Sequence, residues 1–153
     1  MDKFDMILNI GCGAKDSRGD VRIDISRGTN ASLIADIRHL PFRENVFSII
    51  ICQHVLEHLQ EDDAYGVRDQ TVAIDEMYRV LKASGVCHIV VPWGWEACAF
   101  DHKRIWPPSI WRIMLDRRGF RKIEIRGRGS IFDFQNGFLD YIFHRLPLLK
   151  PLT

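Results

Sequence analysis

The stretch that most constrains this chain is a short apolar run that ends in two glycines, Met6-Ile7-Leu8-Asn9-Ile10-Gly11-Cys12-Gly13. Four of the five residues before the glycines are apolar, which is typical of a strand buried in a parallel sheet. Two glycines separated by one residue let the backbone turn tightly and approach a ligand without an intervening Cβ. The run therefore predicts the first strand of an α/β fold, with a ligand-binding turn at its carboxyl end.

A second short apolar run, Val21-Arg22-Ile23-Asp24-Ile25, follows the turn and carries one acidic residue near its end. In an open α/β sheet, a glycine turn and an acid after the next strand hold an adenosine-containing cofactor, whose ribose hydroxyls the acid binds. The dinucleotide fingerprint does not fit, because Asp16 occupies the place of the third glycine and Asp24 comes too soon after Gly11. A cofactor without a pyrophosphate does not need that third glycine. The pattern therefore favours S-adenosylmethionine over a nicotinamide dinucleotide.

Four motifs follow one another in the order of a known family: Leu8-Asn9-Ile10-Gly11-Cys12-Gly13, Ala35-Asp36-Ile37-Arg38-His39-Leu40-Pro41-Phe42, Val55-Leu56-Glu57-His58-Leu59 and Glu76-Met77-Tyr78-Arg79-Val80-Leu81-Lys82. Over residues 6–126 the chain resembles the class I, Rossmann-like S-adenosylmethionine-dependent methyltransferases, in particular their small type 11 branch. The resemblance implies a doubly wound, mostly parallel sheet with an antiparallel last strand. It also implies transfer of a methyl group to a small-molecule acceptor by in-line displacement.

The segment between the first two strands departs from the commoner pattern of this family. Residues 14–20 are too few and too polar for the usual crossover helix. We therefore expect the first crossover helix to be shortened or missing. Asn9 also stands where many relatives have an acid, so its contact with the amino group of the cofactor is expected to be weaker or water-mediated.

The resemblance implies roles for the residues around the glycine turn. The backbone of Gly11, Cys12 and Gly13, together with Asn9, is expected beside the methionine portion of the cofactor. The ribose is expected to contact Asp24 and its neighbour Ile25.

The resemblance also implies contacts further along the sheet. The acid Asp36, or the backbone amide that follows it at Ile37, is expected to contact the adenine, although Asp36 is equally typical of a helix cap or a turn. Gln53 and His54 follow the buried strand 46–52, and ligands of open α/β sheets lie beyond the carboxyl ends of strands. We expect both residues beside the sulfonium.

The segment from His54 to His58 also matches the zinc-peptidase pattern H-x-x-E-H. That pattern requires a long helix with the two histidines on one face. Here it follows a strand, and no third ligand stands out downstream. We therefore predict no metal site. In the alternative interpretation Glu57 and His58 lie in the first turn of a helix, where the positive end of the helix dipole favours Glu57.

An aromatic loop is predicted after the strand 86–92, and it contains Trp93, His102 and Trp106. Aromatic faces at this end of the sheet form a wall for the acceptor and stabilise a sulfonium cation, although the loop is equally suited to a lid packed on its own apolar cluster. His102 is the best candidate in this loop for a general base, and His54 is the second candidate in the chain. These three loop residues are our predicted acceptor contacts.

Helical spacing of apolar residues predicts helices over 69–82, stopped by Gly85, and over 109–118, opened by Pro107 and Pro108. Residues 120–126 alternate as an edge strand. For the antiparallel last strand there are two candidate segments, 130–134 and 138–146, and the second is equally suited to an amphipathic helix.

We predict a single domain over residues 1–153, with its core at 6–126 and a tail at 127–153. The charge balance of 21 basic against 20 acidic residues does not call for nucleic acid as a partner. The four cysteines form no C-x-x-C pair and suit reduced thiols of a cytoplasmic protein, and no apolar run is long enough for a membrane span. The apolar tail is expected to pack on the domain, on a second subunit as a homodimer, or on a membrane surface.

Two other functions are compatible with parts of this pattern. A non-catalytic cofactor-binding or interaction domain keeps the fold without turnover, and the short chain and reduced crossover favour it to some extent. A nicotinamide dehydrogenase is disfavoured by Asp16 and by the spacing to Asp24.

Overall fold

The computed structural model describes residues 5–59, 68–93, 106–128 and 137–145. Within these residues seven strands form one sheet in the order β3-β2-β1-β4-β5-β7-β6. The strands are β1 (Ile7–Ile10), β2 (Val21–Asp24), β3 (Leu33–Ile34), β4 (Phe47–Gln53), β5 (Leu81–Trp93), β6 (Phe120–Arg128) and β7 (Gly137–Arg145). The two helices described are α1 (Arg68–Val80) and α2 (Pro108–Arg117).

The strands β1 to β5 pair in parallel, and β7 runs antiparallel to both of its neighbours. This arrangement confirms the predicted Rossmann-like sheet with an antiparallel last strand. Of the two candidate segments, the last strand is the one that spans Gly137–Arg145, and the helical alternative for that segment is wrong. The strand β6 lies at the edge of the sheet, as the alternating pattern predicts.

Both helices occur where apolar spacing predicts them, but α1 ends at Val80, two residues early, and Gly85 is not its stop. The reason is pairing: Leu81 already lies opposite Phe47 of β4, so the chain enters β5 directly from the helix. This makes β5 longer than the predicted strand. The helix α2 begins after Pro107, which caps it in extended conformation, with proline in its first turn.

The core joins the sheet to the two helices. Apolar side chains from β1, β4 and β5 alternate toward it, and the thiol of Cys87 lies 4.0 Å from the sulfur of Met77 on α1. Trp111 on α2 is the largest fully buried side chain. The ring of Phe120, at the start of β6, meets that of Tyr78 on α1 edge-on at 5.0 Å. Apolar residues recur at helical spacing along α1 and α2 because one face of each helix packs on this cluster.

No helix forms between β1 and β2 in residues 11–20, all of which the structure describes. The predicted loss of the first crossover helix is therefore confirmed. Hydrogen bonds hold the loop instead: the N–H of Asp20 donates to the Ile7 carbonyl at 2.9 Å, and the Ile7 N–H donates to the Asp20 carboxylate at 2.8 Å. The amide of Asn30 donates to the carbonyl of Asp16 at 3.0 Å.

Three cysteines, Cys12, Cys52 and Cys87, are reduced and buried, as predicted, and Cys98 lies outside the described residues. Burial raises the pKa of the Cys52 and Cys87 thiols. No helix in the described part of the chain has the length and apolar character that crossing a membrane requires.

Truncating a core side chain on α2 tests the packing. Trp111 is 1% exposed, whereas Ile113 on the same helix is 45% exposed. We expect Trp111→Ala to lower the free energy of unfolding by about 3 to 5 kcal/mol, because it removes a large buried side chain and leaves a cavity. Ile113→Ala is the matched control and changes it by less than about 1 kcal/mol. Denaturant unfolding of both variants measures the difference, and equal effects would contradict the packing described.

Candidate functional site

A cavity of about 570 Å³ opens at the carboxyl ends of β1 to β4. This is the edge at which open α/β sheets bind ligands, and the volume lies within the range of small-molecule sites. Seven of the predicted cofactor residues line it: Gly11, Gly13, Asp24, Ile25, Asp36, Ile37 and His54. The fold thus brings together residues that are up to 43 positions apart, counted from Gly11 to His54.

The glycine turn forms one wall of the cavity and is fixed by its backbone. Gly11 and Gly13 both have positive φ, of 69° and 57°, which favours glycine. The N–H of Gly11 donates to the carbonyl of Ile23 at 2.8 Å, so the turn is tied to β2. A Cβ at Gly11 would collide with the side chain of Val55, whereas a Cβ at Gly13 would meet only open space.

Asp24 stands at the end of β2 and connects the turn to the next loop. Its Oδ2 accepts a hydrogen bond from the N–H of Gly13 at 2.9 Å, and its Oδ1 accepts one from the N–H of Ser26 at 2.9 Å. A carboxylate has about four acceptor positions, so two are used here and capacity for further donors is left. Asp24 therefore both shapes the turn and offers acceptors to a ligand in the cavity.

Asp36 lies on the opposite side of the cavity and is engaged by a neighbour. It caps the short 3-10 helix Ile37–His39 by accepting from the N–H of Arg38 at 2.9 Å. The guanidinium of Arg38 also binds both carboxylate oxygens, the closest contact being 2.6 Å. Arg38 holds the pKa of the Asp36 carboxyl below its ordinary value. Asp36 therefore has the helix-cap role that the sequence left as an alternative.

The helix α1 anchors this side of the cavity through ion pairs. Arg38 reaches Asp69 of α1 at 2.6 Å. Arg79, further along α1, donates to the carbonyls of Phe42 at 2.7 Å and Leu40 at 3.0 Å. Glu76 accepts the N–H of Leu40 at 2.8 Å. Glu76 and Arg79, three residues apart in the fourth motif, thus clamp the loop that follows Asp36.

His54 follows β4 and is held in an uncommon conformation. Its φ of 55° lies in the left-handed region, which costs a non-glycine residue about 1 to 3 kcal/mol. Its N–H donates to the carbonyl of Val90 at 3.0 Å, and its Nδ1 lies 3.3 Å from Oε1 of Glu57. The Glu57 side chain is only 1% exposed, whereas that of His54 is 46% exposed and lines the cavity.

Three predicted cofactor residues lie behind the cavity rather than along it. Asn9 is 2% exposed, and its amide donates to the carbonyl of Arg18 at 3.2 Å. A carboxylate has no hydrogen to donate there, so an aspartate at position 9 could not make this contact. Cys12 is buried, and Gln53 accepts a hydrogen bond from Arg18 at 2.8 Å. The side chains of Asn9 and Gln53 thus hold the β1–β2 loop through Arg18.

Of the three predicted acceptor contacts, only Trp106 has a described side chain. The indole N–H of Trp106 donates to Oε1 of Gln70 on α1 at 2.6 Å, and its ring packs against the core instead of lining the cavity. Trp93 ends β5, but its side chain lies outside the described part of the structure, as does the whole of His102. The roles of Trp93 and His102 stay predictions.

Sequence reasoning missed other residues at the site. Arg38, Val55, His58 and Leu59 line the cavity, and each belongs to a quoted motif. Their signal was present in the motifs, but the sequence did not reveal which side chains point to the ligand edge. The zinc-peptidase pattern has no long helix around it, since Leu56–His58 is one 3-10 turn. Among the described residues no cluster of three or more metal-ligating side chains occurs.

Alanine substitutions at the two glycines of the turn distinguish the cost of positive φ from the cost of a steric collision. Both substitutions place a side chain at positive φ, which costs about 1 to 2 kcal/mol. Gly11→Ala adds the collision with Val55, so we expect it to destabilise the protein more than Gly13→Ala does. Denaturant unfolding measures the difference. Val55→Ala in the Gly11→Ala background should recover part of it, and equal losses at both glycines would refute the contact.

The clamp on α1 should make stability depend on pH. Hydrogen bonds from Arg79 hold the pKa of the Glu76 carboxyl below its ordinary value, and the Leu40 N–H adds to the effect. A depressed folded-state pKa gives stability that is complete above the unfolded pKa, about 4.3, and is lost as pH falls through the folded value. We expect the stability advantage of the wild type over Glu76→Gln to shrink as the pH falls below about 5 and through the lowered folded-state pKa of Glu76.

Denaturant unfolding at several pH values measures this advantage. Asp5→Asn, at an exposed carboxyl, is the control and should show no comparable trend. An advantage for the wild type over Glu76→Gln that does not change with pH would contradict the clamp.

Comparisons with known proteins agree with this geometry. Residues 15–89, about half of the chain, match a family model described as a methyltransferase domain, of type 11. An uncharacterised protein of Methanocaldococcus jannaschii is 30% identical over 100 residues, which cover 56% of this chain and 40% of that protein. The chain therefore spans well under two thirds of the length of this curated relative.

Solved structures share the fold. A methyltransferase dependent on S-adenosylmethionine from Archaeoglobus fulgidus has a TM-score of 0.69 and 16% identity, covering 90% of this chain and 85% of its own. Phosphoethanolamine N-methyltransferase 2 of Haemonchus contortus, solved with S-adenosyl-L-methionine, has a TM-score of 0.67 and 13% identity, covering 92% and 48%. At such identities the likeness concerns the fold. Together, the match of residues 15–89 to a methyltransferase-domain model and the shared fold support a class I S-adenosylmethionine-dependent methyltransferase.

Proposed function

We propose that the cavity binds S-adenosylmethionine and that the protein transfers the methyl group to a small-molecule acceptor. One observation carries the proposal: the glycine turn after β1 and the acid after β2 meet in a single cavity at the carboxyl edge of the sheet. This edge is where open α/β folds bind their cofactors.

The residues around the cavity fit such a cofactor. The turn at Gly11 and Gly13 carries no Cβ, so the methionine portion can approach its backbone closely. Asp24 retains acceptor capacity for the two ribose hydroxyls. Apolar surface for a flat base comes from the side chains of Ile37 and Leu59. A mostly apolar pocket with a few directed polar groups is the common form of a small-molecule site.

The adenine contact is better assigned to backbone than to the carboxylate of Asp36. Arg38 already supplies hydrogen bonds to both oxygens of Asp36. Of the two alternatives, the backbone amide of Ile37 therefore remains for the adenine. In this assignment Asp36 and Arg38 shape the 3-10 turn that presents Ile37 to the cavity.

When bound, S-adenosylmethionine supplies a methyl group on a sulfonium, so the leaving group is already activated. The work left to the chain is to hold the methyl donor and the acceptor in line and to exclude water, which accounts for several kcal/mol of a barrier. His54 is one of the two residues predicted beside the sulfonium, and its side chain lines the cavity. Trp93 and His102 are proposed to face the acceptor, and His102 is the other candidate base. A cytoplasmic location and a homodimer formed through the tail also stay proposals.

Calorimetric titration with S-adenosylmethionine, S-adenosylhomocysteine and NAD, run in parallel, tests the cofactor. We expect binding of the first two at roughly micromolar Kd, about −8 kcal/mol, and none of NAD. Binding of NAD alone would indicate a dehydrogenase. No binding by any of the three would favour the non-catalytic interaction domain.

Substitution of Asp24 tests the site itself. Hydrogen bonds to a charged group contribute about 1.5 to 3 kcal/mol, so Asp24→Ala should weaken S-adenosylmethionine binding roughly 10- to 100-fold. Asp116→Ala, at an exposed acid on α2, is the matched control and should bind like the wild type. Thermal unfolding checks that both variants are folded. Unchanged affinity of a folded Asp24→Ala variant would remove Asp24 from the site.

A further inference from the structure

A buried acid stands directly behind the histidine of the cavity. The Glu57 side chain is 1% exposed, and its Oε1 lies 3.3 Å from Nδ1 of His54. Its Oε2 has no hydrogen-bond partner among the residues that the structure describes. A buried carboxylate is costly unless it is paired. Within the described chain, the contact with His54 thus offsets the cost of burying this carboxylate.

The pairing determines which ring nitrogen carries hydrogen. An ionised carboxylate only accepts hydrogen bonds, so Nδ1 of His54 is the donor. In the neutral ring, Nε2 then carries the lone pair and is the nitrogen able to take a proton. The backbone supports this orientation, because His54 is fixed at a φ of 55° by its N–H bond to Val90.

We infer that Glu57 is a positioning residue that holds His54 as the general base of the reaction, and that the acceptor therefore bears a proton at the atom to be methylated. This inference rests on the proposed function. It names the acceptor class as a protic nucleophile, such as a hydroxyl, a primary or secondary amine, or a thiol. Tertiary amines and thioethers, which have no proton to lose, are outside this class.

A bond forms between the acceptor atom and the methyl carbon while the bond between that carbon and sulfur breaks, and its electron pair stays on sulfur. The proton of the acceptor atom moves to Nε2 of His54. The resulting imidazolium carries its charge next to the Glu57 carboxylate and later releases the proton to water. Glu57 orients the ring and does not itself take the proton, as the acid does in a histidine–acid pair.

The surroundings leave this role to Glu57. Besides His54, the ionisable groups that line the cavity within the described chain are Asp24, Asp36, Arg38 and His58. Asp24 accepts from backbone N–H groups, and Asp36 is paired with Arg38. Behind the turn, the buried Cys52 of β4 has a raised pKa, first through burial, then through Cys87 and Glu57.

Nitrogen-15 NMR of the histidine rings tests the inference on the full chain, without any acceptor. Spectra of the wild type, Glu57→Gln and Glu57→Ala are recorded at a pH where the rings are neutral. We expect His54 of the wild type to be the Nδ1–H tautomer and to lose that signature in Glu57→Ala. In Glu57→Gln, a mixture of tautomers is expected, since an amide both donates and accepts. His58, on the same turn, is the internal control and keeps its tautomer.

Failure of this inference is distinguishable from failure of the proposed function. An Nε2–H tautomer for His54 in the wild type, or one that Glu57→Ala leaves unchanged, would overturn the positioning role. If Glu57→Ala does not fold, the nearly isosteric Glu57→Gln carries the test, and a tautomer identical to the wild type would then overturn it. Calorimetry with S-adenosylmethionine is run on the same samples. We expect Glu57→Gln to bind within about threefold of the wild type, and a loss of binding would show that Glu57 serves the cofactor site instead.

Discussion

The hydrogen bond from the Gly13 N–H to the Asp24 carboxylate is the contact on which the site depends. Parallel neighbouring strands are normally joined by a crossover helix that would cover the turn. Here residues 11–20 form no helix, and the turn is fixed by hydrogen bonds to β2 and to the loops on either side. Asp24 is therefore part of the architecture before it is part of any ligand contact. Asp24 also lines the cavity, so loss of this side chain affects both the turn and the site.

The far side of the cavity depends on α1 rather than on the sheet. The strand β3 has only two residues, Leu33 and Ile34, and both are exposed at the sheet edge. The loop that follows is held instead by ion pairs and backbone contacts from Arg38, Glu76 and Arg79. A charged clamp of this kind compensates for a short edge strand, because it satisfies loop carbonyls that no strand pairs. A motif that reads as a helix pattern in the sequence thus serves the cavity.

The segment after β4 breaks two local rules in succession. His54 adopts a left-handed backbone without being glycine, and Glu57 is an acid buried in the domain. Departures from local preference concentrate at functional sites, where the surrounding structure holds a costly arrangement in place. That two such departures meet at a distance of 3.3 Å, beside the cavity, is the reason for placing the proton chemistry here.

The sequence by itself determined most of the strand and helix pattern and a first crossover helix that is shortened or missing. These properties follow from local runs of short apolar strands and helical spacing, whereas four motifs carry the resemblance to the methyltransferases. Tertiary structure decided what local runs do not encode. Pairing of Leu81 with Phe47 ended α1 early, and Gly137–Arg145 became the antiparallel strand through its pairing with β5 and β6. Burial made Asn9 a loop anchor and joined Glu57 to His54, because side-chain partners are set by three-dimensional proximity, which spacing along the chain does not specify.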